Sequence, residues 1–227
     1  VSLPAGSTIG IIGGGQLGRM LAVAAARLGY RTVILEPQAD CPAAQVANRQ
    51  ITAAYDDAAA LAELAAVSAV VTYEFENVPV AAASALAAKV PVYPPPRALE
   101  VAQDRVAEKQ FLNGIGIQTA DFRAVGNDDE LTAALREFNG SGILKTRRMG
   151  YDGKGQRVFR NMETGGFAGT CEAMGNVPLI LESFVAFERE ISVIAARGLD
   201  GAVAAYDPAE KVNRDGILHT STLPAQI

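Results

Sequence analysis

The 227 residues are 49% apolar and 20% charged, the balance of an ordinary soluble globular protein with room for one large or two smaller cores. A net charge of −5 argues against a protein whose main partner is a nucleic-acid backbone, which needs a basic face. Two distant cysteines, Cys41 and Cys171, and the single histidine, His219, rule out a recognisable zinc site.

In chain order, short apolar runs at 8–12, 32–35, 50–53 and 69–73 predict strands, with 91–93 as a weaker fifth. Between the first two, Leu17, Met20, Leu21, Ala24 and Leu28 recur at helical spacing and predict a helix with one apolar face. Stretches 57–67 and 80–89 also read as helices. Strands alternating with helices across short connections imply a parallel sheet covered on both faces. Pro94, Pro95 and Pro96 break the pattern and predict a boundary or rigid connector. A helix over 104–113 follows, stopped by Gly114 and Gly116.

From Phe122 the texture changes to a small α+β unit. Strands are expected at 122–125, 142–146, 156–159 and 179–182, with helices at 128–138 and 163–174. Further strands are expected at 190–197, 202–206 and 216–220. No run approaches the roughly 18 apolar residues of a membrane span. The opening "VSLPAGS" has no charged-then-apolar leader pattern, so a cytoplasmic protein with free thiols is expected.

Two glycine loops carry the chemical signal. "GIIGGGQLGRM" at 10–20 sets Gly13, Gly15 and Gly18 in a G-x-G-x-x-G pattern after a strand and before a helix. Glu36, at the end of the second run, stands where a dinucleotide domain places its ribose-holding acid. Amides and a helix N-terminus there favour an anion, which fits NAD, another phosphate ligand or a turn that binds nothing. A Walker A reading fails at Arg19 and Met20, which replace its lysine and hydroxyl. No later residues resemble a hydride-transfer site.

The second loop, "ILKTRRMGYDGKGQRVF" at 143–159, joins two strands. Gly150, Gly153 and Gly155 let its backbone approach a ligand, beside Lys145, Arg147, Arg148 and Lys154. That pattern suits a lid over a polyphosphate, and equally a solvated basic hairpin. Glu182 and Glu190 stand at strand ends, where carboxylates accept from an adenine amino group and ribose hydroxyls, or serve structure alone.

Together these residues resemble the ATP-grasp superfamily and, within it, the N5-carboxyaminoimidazole ribonucleotide synthetases. The resemblance runs from about Thr8 to the end. It rests on "GGGQLGRM", "TYEFENVP" (72–79), "QDR" with "EK" (103–109), "GYDGKGQ" (150–156), "EREIS" (188–192) and "DGILHTSTLPA" (215–225). It implies an α/β fold: an N-terminal Rossmann-like (pre-ATP-grasp) parallel sheet over 1–97 and a helical connector over 98–120. A small ATP-grasp α+β domain would follow over 121–185, and the start of the large ATP-grasp domain over 186–227.

The resemblance also implies roles. Arg105 and Lys145 would contact ATP phosphates, under a lid of Gly150, Tyr151, Asp152, Gly153, Lys154, Gly155 and Gln156. Glu182, with the backbone of Ser183, Phe184 and Val185, would hold adenine, and Glu190 the ribose. Gly15, Gln16, Leu17 and Glu76 would lie near 5-aminoimidazole ribonucleotide, with Tyr151 and Asp152 reaching its imidazole. ATP and Mg2+ would phosphorylate bicarbonate to carboxyphosphate, which delivers CO2 to the amine, with Asp152 as proton acceptor. A cytoplasmic homodimer is implied, with no nucleic-acid or membrane partner.

Two departures stand out. The family usually reads Glu-Asn-x-His before "DGIL", with its histidine near the nucleotide; this chain has Glu210-Lys211-Val212-Asn213, so the resemblance implies Asn213 as an ATP contact that can donate a hydrogen bond but never carry a charge. The family also continues for about a hundred more residues that hold magnesium. The chain is therefore expected to be C-terminally truncated, to lack its metal ligands and to be inactive alone. Rival readings are another ATP-grasp ligase or carboxylase, an NAD(P) oxidoreductase, and a non-catalytic nucleotide-binding fragment.

Overall fold

In a computed structural model of the chain, the first apolar run is a parallel strand, β1 (Thr8–Ile12). Residues 3–150, 155–162, 167–214 and 217–226 are described. The chain forms two units, Val1–Glu108 and Lys109–Ile227.

In the first unit β1 is followed by α1 (Gln16–Arg27), β2 (Arg31–Leu35), β3 (Arg49–Ile51), α2 (Ala58–Val67), β4 (Val70–Tyr73), α3 (Val80–Ala87) and α4 (Pro96–Ala102). The strands pair in parallel in the order β3-β2-β1-β4. The weak fifth run contributes a single parallel bridge, Val92 to Val71. Alternation sorts the side chains to the two faces. Ile12, Val33 and Leu35 pack with Leu61, Leu64 and Leu86. Ile11 and Ile34 pack with Ala22, Cys41 and Ala43. Asp57 caps α2, its Oδ1 accepting from the amides of Ala59 and Ala60 at 2.9 Å each, a contribution of about 1 kcal/mol.

Two features depart from the sequence pattern. The apolar face of α1 turns outward: Leu17 is 58%, Met20 60% and Leu28 71% exposed, while Gly18, Ala22 and Ala25 are buried. Close approach decides this, because a Cβ on Gly18 would stand 2.7 Å from the Gly13 carbonyl oxygen. The proline run is not merely a connector: Pro95 is the N-cap and Pro96 the first residue of α4. Proline is tolerated there because the first helical amide has no intrahelical acceptor.

Helix α5 (Arg105–Gly114) spans the boundary between the units. Asp104 caps it, accepting from the Val106 and Ala107 amides at 3.0 and 3.3 Å. Gln103 donates its side-chain amide to the Val78 carbonyl. The block "QDR" thus begins with a tether and a cap.

The second unit continues with β5 (Phe122–Val125), α6 (Asp128–Glu137), β6 (Gly142–Thr146), β7 (Gln156–Phe159), α7 (Thr170–Ala173) and β8 (Leu179–Glu182). Its antiparallel sheet has the order β5-β8-β6-β7. Leu144, Leu179 and Leu181 turn one face toward Leu131, Leu135, Phe159 and Phe167. Of the helix expected over 163–174, residues 163–166 lie outside the described residues and α7 is a single turn.

The strand expected over 190–197 is two: β9 (Glu190–Ser192) and β10 (Ala195–Arg197). After β11 (Val203–Ala205) comes β12 (Ala209–Arg214), which the sequence pattern does not suggest, and β13 (Ile217–Thr222). β9 pairs with β12, and β10 with β11. Nothing local in "EISVIAAR" marks the change of sheet, since it holds no glycine, proline or asparagine. The break falls where the partner changes, from β12 for β9 to the nearby β11 for β10.

Candidate nucleotide site and glycine loop

The glycine loop leaves the carboxyl end of β1 and enters α1. The neighbouring strands β2 and β4 are each followed at once by an acid, Glu36 and Glu74, and both acids close on the loop. Glu74 accepts from the Gly15 amide through Oε1 and the Gly18 amide through Oε2, each at 2.8 Å. Glu36 Oε2 accepts from the Gly14 amide at 2.9 Å and from the Tyr55 hydroxyl, and its Oε1 from the Gln38 amide. Burial and the Glu36 carboxylate push the Tyr55 phenol well above its usual range, so it stays a donor. The positive end of α1 is thus neutralised by the protein's own carboxylates.

The glycines make this possible. Gly13 has φ +101°, and a Cβ on it would meet Glu74 Cγ at 2.4 Å. One on Gly14 would stand 2.3 Å from Cys41 Sγ. Of the residues assigned to the ribonucleotide, Gly15 is half-buried, while Gln16, Leu17 and Glu76 are exposed. The Gly15 amide is the one bound to Glu74. Glu76 accepts from the neighbouring Asn77 side chain at 3.4 Å. Glu74, two residues from Glu76 in the same block, escaped the sequence reading, although an acid ending a strand beside a glycine turn is the signal that marks it.

In the second unit the register sets Ile143 opposite Glu182 and Lys145 opposite Ile180, so Lys145 and Glu182 are diagonal neighbours on one sheet face. Lys145 Nζ lies 2.6 Å from Glu182 Oε2. Lys109, on α5, approaches Glu182 Oε1 at 3.4 Å. Burial works to raise the Glu182 pKa, but the Lys145 hydrogen bond and the two ammonium charges outweigh it and hold the carboxyl below its ordinary value. Glu182 is therefore a buried, ionised acceptor between two cations. Lys109 belongs to the quoted "EK" pair but drew no role from sequence, because α5 brings it to Glu182 across a long stretch of chain.

The other assigned residues lie around these strands. The Ser183 amide donates to the Asp121 carbonyl at 2.8 Å. The Phe184 ring carries the Arg160 guanidinium at 4.4 Å, and Val185 is exposed. Glu190 accepts from Asn213 Nδ2 at 2.7 Å. Arg105 belongs to the first unit, as the first residue of α5. Tyr151, Asp152, Gly153 and Lys154 lie outside the described residues. Beside them, Gly155 has φ +70° and gives its carbonyl to the Thr146 amide, which continues the ladder of β6 with β7. Among the described residues no three of His, Cys, Asp and Glu come together as a metal site. No described helix is long and apolar enough to cross a membrane.

The chain matches the ribonucleotide synthetase preATP-grasp domain over residues 6–103 and the ATP-grasp domain over residues 110–227. It belongs to the ATP-grasp family. The basic strand-end lysine, the glycine loop after it and the acid on the neighbouring strand therefore sit in an ATP-grasp domain. The chain is similar to the N5-carboxyaminoimidazole ribonucleotide synthase of Brucella melitensis, with 64% identity over 226 residues, 100% of this chain and 62% of that protein. It is similar to the Staphylococcus aureus N5-carboxyaminoimidazole synthetase complexed with ADP, with 35% identity and a TM-score of 0.93 over 99% of this chain and 60% of that one. It also resembles the Aspergillus clavatus N5-carboxyaminoimidazole synthase in complex with ADP and 5-aminoimidazole ribonucleotide. There the identity is 26% and the TM-score 0.77, over 94% of this chain and 55% of that one. The chain thus spans about 60% of the length of these ATP-grasp relatives.

Proposed function

We propose that the protein catalyses the ATP- and bicarbonate-dependent carboxylation of 5-aminoimidazole ribonucleotide to N5-carboxyaminoimidazole ribonucleotide. The observation that carries the reading is the 64% identity, across 226 residues, to an enzyme named for that product. In this reaction bicarbonate attacks the γ-phosphoryl group of ATP, releasing ADP and forming carboxyphosphate. Carboxyphosphate breaks down to CO2 and phosphate, and the exocyclic amine attacks CO2 as its N–H proton leaves.

The chain's own groups suit these steps. Arg105 and Lys145 offset phosphate charge, and phosphoryl transfer depends mainly on such positioning and neutralisation. Glu182, held ionised between Lys145 and Lys109, accepts from the adenine amino group beside the 183–185 backbone. Glu190 takes the ribose. Gly150 to Gln156 cover the phosphates, and Asp152 accepts the proton released by the amine. Gly15, Gln16, Leu17 and Glu76, in a substrate domain over 1–97, take the ribonucleotide, and Tyr151 reaches its imidazole from the lid. Magnesium, when bound, neutralises phosphate oxygens. The described residues gather no ligand set that fits it. A cytoplasmic homodimer completes the reading.

The dinucleotide alternative loses support at the glycine loop, where Glu36 and Glu74 occupy the amides that a pyrophosphate would need. The function is tested by incubating full-length protein with ATP, 5-aminoimidazole ribonucleotide and 13C-bicarbonate. A 13C carbamate resonance on the imidazole amine is expected; label that stays in bicarbonate while ATP is consumed would point to another carboxyl or formyl acceptor.

A further inference from the structure

Glu190 and Asn213 lie on neighbouring strands, β9 and β12, and share one sheet face. The register sets Glu190 opposite Lys211, which makes Asn213 its diagonal neighbour. Asn213 Nδ2 donates to Glu190 Oε2 at 2.7 Å. On its other side β12 pairs with β13. Its pairing with β13 shifts between Val212 and Asn213: Val212 faces Thr220, but Asn213 faces Leu218, leaving His219 as the extra residue. The bulge therefore lies on β13, beside Asn213.

We infer that Asn213 is a positioning residue for Glu190, fixing its carboxylate in the orientation that receives the ribose hydroxyls of ATP. The inference rests on the proposed ATP site and adds the element that orders it. Oε2 is held by the amide, which leaves Oε1 for the sugar. Without Asn213 the carboxylate is left to Lys211, the cation directly opposite, and turns away from the sugar. Because the amide is neutral, it orients Glu190 without cancelling its charge.

The test uses nucleotide affinity of the full-length protein, with ATP and 2′,3′-dideoxyATP compared in each variant. Asn213→Ala weakens ATP by roughly three- to tenfold, the range for one solvent-accessible hydrogen bond, and leaves dideoxyATP unchanged. Asn213→Asp, which repels Glu190, is worse than alanine, whereas Asn213→His keeps an N–H donor and restores most of the affinity. In Glu190→Gln, removing Asn213 as well adds little. Equal loss of both nucleotides in Asn213→Ala would overturn the inference by making the residue structural. Loss of ATP affinity in Glu190→Gln but not in Asn213→Ala would overturn it while leaving the ATP site intact. Unchanged ATP affinity in Glu190→Gln would remove the ribose assignment and the inference with it.

Discussion

Lys145 and Glu182 meet diagonally across β6 and β8, Nζ to Oε2 at 2.6 Å, on the sheet face opposite the Leu144 and Leu181 core. Lys109 sits on the other carboxylate oxygen. This arrangement couples the proposed ATP site to the stability of the second unit. Glu182→Gln leaves two ammonium groups facing a neutral amide and is expected to destabilise that unit by on the order of 2 kcal/mol at pH 7.

The same carboxyl sets an acid sensitivity of definite sign. Its folded pKa lies below the unfolded value of 4.5, so the folded protein holds it ionised where the unfolded chain begins to protonate. The stability it contributes is complete above that value and is lost as the pH falls through the folded pKa. Thermal melts should therefore separate wild type from Glu182→Gln at pH 7 and bring them together on acidification below 4.5. Asp128, whose carboxylate is lowered by hydrogen bonds from Cys171 and Gly169, titrates in both proteins and cancels from the difference. A constant gap across the acid range would contradict the assignment.

The glycine loop yields a prediction about binding. With the Gly14, Gly15 and Gly18 amides bound to Glu36 and Glu74, NADH and NADPH should cause no fluorescence change with the full-length protein. Gly18→Ala should cost the first unit about 1–3 kcal/mol, because the new methyl meets the Gly13 carbonyl oxygen, which is backbone and cannot swing away. Saturable dinucleotide binding, or an unchanged melt for Gly18→Ala, would contradict the self-liganded loop.

Both thiols are buried. Cys171 is pushed up to about 11 by burial, a hydrogen bond to Asp128 and nearby carboxylates. Cys41 is buried against the glycine loop. Both should react with a disulfide reagent at pH 8 far more slowly in the folded protein than after denaturation. Two fast thiols in the native protein would contradict the described packing.

How far these features could be read from sequence follows from their range along the chain. The strands at 8–12, 122–125, 142–146 and 156–159 begin and end where the sequence pattern does, because strand and turn signals are local. Lys145, Glu182 and Glu190 drew notice as charges at strand ends. The bonds that give the loop and the sites their form are not local. Glu74 reaches back 59 and 56 residues to Gly15 and Gly18, and Asn213 back 23 to Glu190. No spacing rule records such contacts. The prolines likewise hid α4, since Pro at the first turn and Pro in a connector read alike. On α1, leucine and methionine periodicity marked a face that the structure leaves exposed, while glycine and alanine made the contact.

Coupling of ATP cleavage to carboxylation of the aminoimidazole is read out by ADP release from the full-length protein. The rate should rise at least tenfold when 5-aminoimidazole ribonucleotide and bicarbonate are both present. Lys145→Met should abolish it, and Asp152→Asn should lower N5-carboxyaminoimidazole ribonucleotide formation by roughly a hundredfold, as loss of a general base does. ADP release indifferent to the ribonucleotide, with no carboxylated product, would contradict the account.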